Sequence, residues 1–276
     1  MTQQNQNSYR YLDILDAFHI NQGDVVLVSS ELLKIMWMCR NLSEKFQPDA
    51  LLERLQDIVG KEGTILISTY NFDFSNKGFY DYNTSKSTVG FLGNTALARA
   101  DFKRTRHPLH SFAVWGRDQE LLCSMENVDS YAGDSPFSYL LEHQAKEIGL
   151  GIEYIQAFTF IHFVETQAKV PYRFHKTFEG TYVAPDGSQE IRRYTSNVRD
   201  RTMTYRTNKE GLMQFLEACG AAHHFEYHSV PCFLIDLAAS YPHLYKNFTE
   251  GHCKGIFEFS QDRDYIFSDK YSICTD

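Results

Sequence analysis

Histidine is the side chain best suited to take up a proton near neutral pH, and His162 lies in a pattern that could use it. The run from Ala157 to Lys169 has helical spacing, and within it Thr159, His162 and Glu165 recur every three residues. On a helix these three share a face. Glu165 or Thr159 could hold one ring nitrogen while the other accepts a proton from an attacking amine. The same residues also suit a histidine packed among Phe158, Phe160 and Phe163 in an aromatic helix. Two more clusters invite chemistry. Lys103-Arg104-Thr-Arg106-His107 is a basic arm leading into a His-Pro turn, with Ser111 opening an apolar strand. Arginine pairs well with phosphate, although a solvated basic loop has the same composition. Ser29 and Ser30 end an apolar run, where hydroxyls and backbone amides can meet a ligand oxygen or cap the next element.

These groups need a frame. Asp24-Val-Val-Leu-Val-Ser29 and Gly63-Thr-Ile-Leu-Ile-Ser-Thr69 read as buried strands. Between them, Pro48–Val59 reads as an amphipathic helix with proline in its first turn and Gly60 beyond its end. Strand, helix, strand with apolar strands predicts an α/β fold: a mostly parallel central sheet flanked by helices. Ser111–Trp115, Lys146–Ile152 and Val230–Leu237 extend the strand set, and Tyr9–Ile20, Gly93–Ala100, Lys209–Cys219 and Ala238–Glu250 extend the helices. Gly180–Tyr194, with Pro185-Asp186-Gly187 as its turn, signals an antiparallel hairpin. We assign it to an insertion over residues 178–206, within one domain covering residues 1–276. The long polar and aromatic segment Asn71–Ser87 reads as a binding loop. Tyr70, Asp73 and Glu153 are the candidates for meeting a cationic ligand.

A net charge of −8 excludes a general nucleic-acid binder, which needs a basic field. No apolar run approaches the roughly 20 residues that span a bilayer, and the N-terminal eight residues are a polar lead-in. The six cysteines, Cys274 among them, are scattered with no C-x-x-C pair, so they read as reduced thiols of a cytoplasmic protein. The chain has no P-loop, no G-x-G-x-x-G and no H-E-x-x-H, and no metal site is assigned. His223, His224, Glu226 and His228 lack a second ligand cluster.

Gly23-Asp-Val-Val-Leu-Val-Ser-Ser30, the Arg104–Gly116 segment and Thr159-Phe-Ile-His162-Phe-Val-Glu165 together resemble the aminoglycoside 3-N-acetyltransferase family. Asp134-Ser135-Pro136 and Val170-Pro-Tyr-Arg173 with Lys176 widen the likeness, which runs from Gly23 to Arg173. The resemblance implies direct acyl transfer from acetyl-CoA to a sugar amine, with no acyl-enzyme. His162 is then the general base, supported by Glu165 and Thr159. Ser29, Ser30, Arg104, His107 and Ser111 are expected near the phosphates or pantetheine of coenzyme A. The family's glycine, valine, glycine, histidine, aspartate run is altered here: the Gly149–His162 stretch is longer, with Ile152-Glu153 and with Phe158 in place of an asparagine. We therefore expect an amino sugar, one carried on a nucleotide for surface polysaccharide, in preference to an aminoglycoside antibiotic. A non-catalytic relative that binds coenzyme A or a sugar is the alternative class.

Overall fold

The structure, a computed structural model, describes residues 9–268; the polar lead-in and Cys274 lie outside the described residues. A 3-10 helix, Arg10–Phe18, opens it. The strands are β1 Val25–Ser30, β2 Thr64–Ser68, β3 Phe79–Asp81, β4 Lys103–Arg104, β5 Phe112–Gly116, β6 Lys146–Leu150, β7 Arg173–Val183, β8 Gln189–Arg199, β9 Tyr205–Thr207, β10 Ala222–Tyr227, β11 Val230–Asp236 and β12 Phe257–Phe259. The helices are α1 Leu32–Asn41, α2 Pro48–Val59, α3 Asp73–Lys77, α4 Phe91–Leu97, α5 Gln119–Ser124, α6 Pro136–Glu142, α7 Tyr154–Ala157, α8 Phe160–Gln167, α9 Lys209–Ala218, α10 Leu237–Thr249 and α11 Arg263–Ile266.

Seven strands form the main sheet in the order β10-β11-β6-β1-β2-β5-β4. β1 runs parallel to both β2 and β6. The flanking pairs β10–β11, β11–β6, β2–β5 and β4–β5 are antiparallel. The α/β class read from the sequence is borne out, but the sheet is mixed and not mostly parallel: only the two pairings of β1, at its centre, are parallel. Alternation along β1 explains why these strands read as unbroken apolar runs. Val26 and Val28 pack with Ile35 of α1, Leu51 and Leu55 of α2 and the opening 3-10 helix. Val25 and Leu27 pack with Phe137 of α6, Val164 of α8 and Leu244 of α10. Both faces are covered, so both must be apolar.

Three local departures from the sequence reading bear on the site. The helix expected over Ala157–Lys169 is broken: α7 ends at Ala157 and α8 begins at Phe160. Thr159 causes competition at the break, since both its N–H and its hydroxyl donate to the Ala157 carbonyl, at 2.6 and 3.2 Å. The hairpin begins and ends earlier than the assigned 178–206 insertion, with β7 and β8 in register from Arg173–Arg199 to Val183–Gln189. The Asn71–Ser87 loop contains α3 and β3, and β3 joins β7 in a second sheet. The 3-10 geometry of Arg10–Phe18, read as α-helix from its spacing, likewise satisfies burial of Tyr11, Ile14, Leu15 and Phe18.

Candidate active site

Parallel strands leave their ligand crevice at their carboxyl ends, and the cleft here opens at that edge. Two adjoining hollows, of about 120 and 100 Å³, share Gln156, Ala157 and Thr159. The first is floored by Ser29 and Ser30 at the end of β1, Ser68 at the end of β2, and Tyr70. The second reaches His162, with Thr207 and Leu212 opposite. Two glycines permit this closeness. Gly151, at φ +74°, turns the chain out of β6, and a Cβ there would sit 2.2 Å from the Glu31 carbonyl oxygen. A Cβ on Gly93 would lie 2.6 Å from the Ser68 carbonyl oxygen, so α4 can pack against the end of β2 only because that atom is missing.

α8 carries His162 to the rim and Glu165 into the interior, as spacing of three on a helix predicts. The His162 side chain is 35% exposed and Glu165 is fully buried. His162 Nδ1 lies 2.6 Å from Glu165 Oε2. Glu165 is further held by the Tyr172 hydroxyl, which donates to Oε1 at 3.0 Å, and by Arg173, with Nη1 3.3 Å from Oε2. Behind Tyr172 stands Cys253, Sγ 3.2 Å from the hydroxyl. Burial opposes ionisation of Glu165, but Arg173, His162 and Tyr172 outweigh it and hold the carboxyl below its ordinary value. Burial and the Arg173 charge lower His162, with Glu165 opposing them. The consequence is a neutral imidazole beside an ionised carboxylate. Its Nδ1 then carries the hydrogen donated to Glu165, and Nε2 keeps a lone pair.

Glu165 thus takes the role that the sequence left open between it and Thr159. The Thr159 hydroxyl is turned to Ala157, so Thr159 contributes to the cleft wall and meets His162 through its carbonyl, which accepts the His162 N–H at 3.0 Å.

The coenzyme candidates divide. Ser29, Ser30 and Tyr70 line the cleft together. Arg104, His107 and Ser111 do not reach it: they are 4%, 1% and 0% exposed and spend their polar atoms on the protein. Arg104 donates to Ser111 Oγ and to the Thr69 carbonyl, both at 3.0 Å, and to the Ser85 carbonyl. Ser111 Oγ donates to the Thr69 carbonyl at 2.9 Å. His107 Nε2 faces the Val128 carbonyl and Nδ1 accepts the His110 N–H, both at 3.3 Å, and burial pushes the imidazole down to about 4. These three lie together outside the cleft, in an internal knot that ties the Tyr70–Ser87 segment to the start of β5. Neither acidic acceptor candidate lies in the cleft. Asp73 is paired with Lys77 at 3.0 Å on the surface, and Glu153 sits 3.8 Å from Lys209 beside a separate hollow of about 470 Å³.

Reading the sequence missed the roles of Tyr172, Arg173 and Cys253, and it missed Glu147. Tyr172 and Arg173 were visible as part of the Val170–Arg173 segment, just past the turn that ends α8. Glu147 was visible as a carboxylate inside the buried strand Lys146–Leu150, a rare place for one. His224 is paired with Glu217, and among the described residues no group of His, Cys, Asp and Glu is arranged to hold a metal ion.

The Antibiotic_NAT family, described as aminoglycoside 3-N-acetyltransferase, matches residues 27–248. The chain belongs to this family. Among its relatives is a prophage-derived aminoglycoside N(3')-acetyltransferase-like protein, YokD, of Bacillus subtilis (strain 168), 24% identical over 182 residues. That match covers 58% of this chain and 64% of the relative, so the chain spans less than two thirds of that relative's length. The crystal structure of YokD superposes with a TM-score of 0.67 at 20% identity, covering 87% of this chain and 97% of that one. Aminoglycoside acetyltransferase AAC(3)-Xa gives 0.69 at 19% identity, over 87% and 92% of the chains. A binary complex of AAC-IIIb with CoASH gives 0.70 at 19% identity, over 87% and 95%. These likenesses establish the fold. Among the described residues no helix is long and apolar enough to cross a membrane.

Proposed function

We propose that the protein is an acetyl-CoA-dependent N-acetyltransferase whose acceptor is an aminoglycoside-type amine, with His162 as general base. The observation that carries this reading is the His162–Glu165 pair at 2.6 Å on the rim of the cleft. An alkylammonium must lose a proton before it attacks. His162 Nε2 supplies the lone pair, and Glu165 stabilises the imidazolium that forms. The free amine then attacks the thioester carbonyl carbon, the C–N bond forms, the C–S bond breaks, and the leaving thiolate takes up a proton while the nitrogen gives up its extra one to become the amide. Among the described residues no cysteine lines the two hollows, in keeping with direct transfer. Ser29 and Ser30, at the far end of the cleft from His162, are the groups available to the acyl donor.

The acceptor expected from the sequence, a nucleotide-linked amino sugar, ranks second, because the family description and the names of the structural neighbours point to aminoglycosides. The test is thioester consumption by the purified protein against a panel of aminoglycosides and nucleotide-linked amino sugars. Turnover with aminoglycosides that is lost in His162→Ala supports the reading. Turnover confined to nucleotide sugars overturns the acceptor, and full activity in His162→Ala overturns the base.

A further inference from the structure

Glu147 stands mid-strand in β6, with Leu27 of β1 and Ile235 of β11 as its register neighbours. It is fully buried. Its Oε1 lies 3.1 Å from Ser29 Oγ, and its Oε2 has no hydrogen-bond partner. Nearby charges are committed elsewhere: Lys146 Nζ is 2.6 Å from Asp24, and Arg173 is on Glu165. On the elements packed around it, His162 and Glu165 of α8 are bound to each other, Asp236 of β11 caps α10 through the Ala239 N–H, and Tyr70 beyond β2 is a buried phenol that stays neutral. A carboxylate with a single hydroxyl in place of its hydration shell is unfavourable, and such a group takes up a proton instead. Burial accordingly pushes the Glu147 carboxyl up to about 8, against the opposing effect of Ser29.

Protonation decides which way the bond to Ser29 runs. A hydroxyl facing a carboxylate donates to it and keeps only lone pairs for other partners. Facing a carboxylic acid, the hydroxyl can accept, and its own hydrogen is free to point elsewhere. For Ser29, elsewhere is the cleft that it lines with Ser30 and Tyr70.

We propose that Glu147 is a positioning residue: as a neutral acid it donates to Ser29, turning the Ser29 hydroxyl into a hydrogen-bond donor for an acceptor oxygen of the acyl donor, and on ionisation it withdraws that donor. The inference rests on the reading of the cleft as the acyl-CoA site. The test is calorimetric titration with acetyl-CoA, without acceptor, at pH values on both sides of about 8. Loss of one neutral hydrogen bond corresponds to roughly a tenfold weakening. The wild type loses about that much affinity as pH rises, while Glu147→Gln, whose amide donates to Ser29 at every pH, stays level. Glu147→Leu also shows no step, since nothing there ionises. Ser29→Ala binds weakly throughout. A level wild-type profile, or the same decline in wild type and both Glu147 variants, overturns the proposal. If Ser29→Ala binds normally, the reading of Ser29 as a donor contact fails and takes the proposal with it. If Ser29→Ala is weak while the Glu147 variants track the wild type, the proposal alone fails. Infrared difference spectra of the wild type need no variant: a protonated-carboxyl band must fade as pH rises through about 8, and its absence at neutral pH is decisive against the assignment. Repeating the titration with S-acetylpantetheine, which lacks the nucleotide phosphates, locates the oxygen. The step persists if Ser29 meets a carbonyl and vanishes if it meets a phosphate, either result supporting a Glu147-controlled donor.

Discussion

Two glutamates with no solvent exposure stand on neighbouring elements of this fold, and their surroundings drive them in opposite directions. Glu165 on α8 meets an imidazole, a phenol and a guanidinium, and is held ionised in the interior. Glu147 on β6 meets one serine and keeps its proton. Burial is the same for both; the number and charge of the partners differ. The contrast shows that the depth of a carboxyl says little about its charge until its neighbours are counted.

Removing His162, the proposed base, tests the charged half of this contrast most severely. General-base assistance is typically worth about 10²–10⁴-fold, so His162→Ala should lower kcat by that order and leave acetyl-CoA affinity nearly unchanged, as steady-state rates and calorimetry would show. In the wild type, log kcat/KM for the amine, measured at saturating acetyl-CoA, should rise with pH through a value below that of an ordinary histidine and then flatten, because burial and Arg173 depress His162. Next in size is Arg173→Met, which strips Glu165 of its fixed cation. Breaking a buried pair from one side typically costs about 3–5 kcal/mol, measurable by denaturant unfolding. A loss under about 1 kcal/mol would mean that His162 and Tyr172 suffice to hold the charge.

The two carboxyls also predict opposite pH slopes of stability. Glu147 is raised: below the unfolded carboxyl value both states are protonated, and above it the unfolded chain releases a proton that the folded chain retains. Its contribution is therefore lost as pH rises toward about 8, with a slope up to about 1.4 kcal/mol per pH unit, and Glu147→Gln should flatten that fall. Glu165 is lowered, so its contribution is present above the unfolded value and is lost as pH falls through the folded one. Thermal melts of wild type and Glu147→Gln across this range would reveal the difference, and coincident curves would break the comparison. Smallest of all is Asp73→Asn. Its partner Lys77 is on the surface, and such pairs contribute about 0–1 kcal/mol, so neither stability nor acetylation should change appreciably.

The His162–Glu165 pair was legible in the sequence because a helix converts spacing into adjacency, and the two residues needed nothing else. β1, α2 and β2 were legible for a similar reason, their periods and caps being local. The surroundings of Arg104, His107 and Ser111 were not legible, because residue type records that a group can bind phosphate, and not that two carbonyls and a hydroxyl already hold the guanidinium. Thr159 was placed correctly on its face, but its backbone competition with Ala157, which splits the helix, depends on the crowded turn around it. Tyr172 and Arg173 reach Glu165 only because the chain reverses after α8, a geometry that no periodicity encodes.

Tyr172 also touches a residue 81 positions further along, Cys253, and α10 lies over α8 with Phe163 and Tyr241 ring centroids 6.1 Å apart. Synthesis runs from the N-terminus, so His162, Glu165 and Arg173 leave the ribosome well before Cys253 and α10, which pack against their neighbours Tyr172 and Phe163. The support behind Glu165 thus draws on the last part of the chain, and a ribosome-stalled chain ending before Leu237 would carry His162, Glu165 and Arg173 without the Cys253 and α10 contacts behind them.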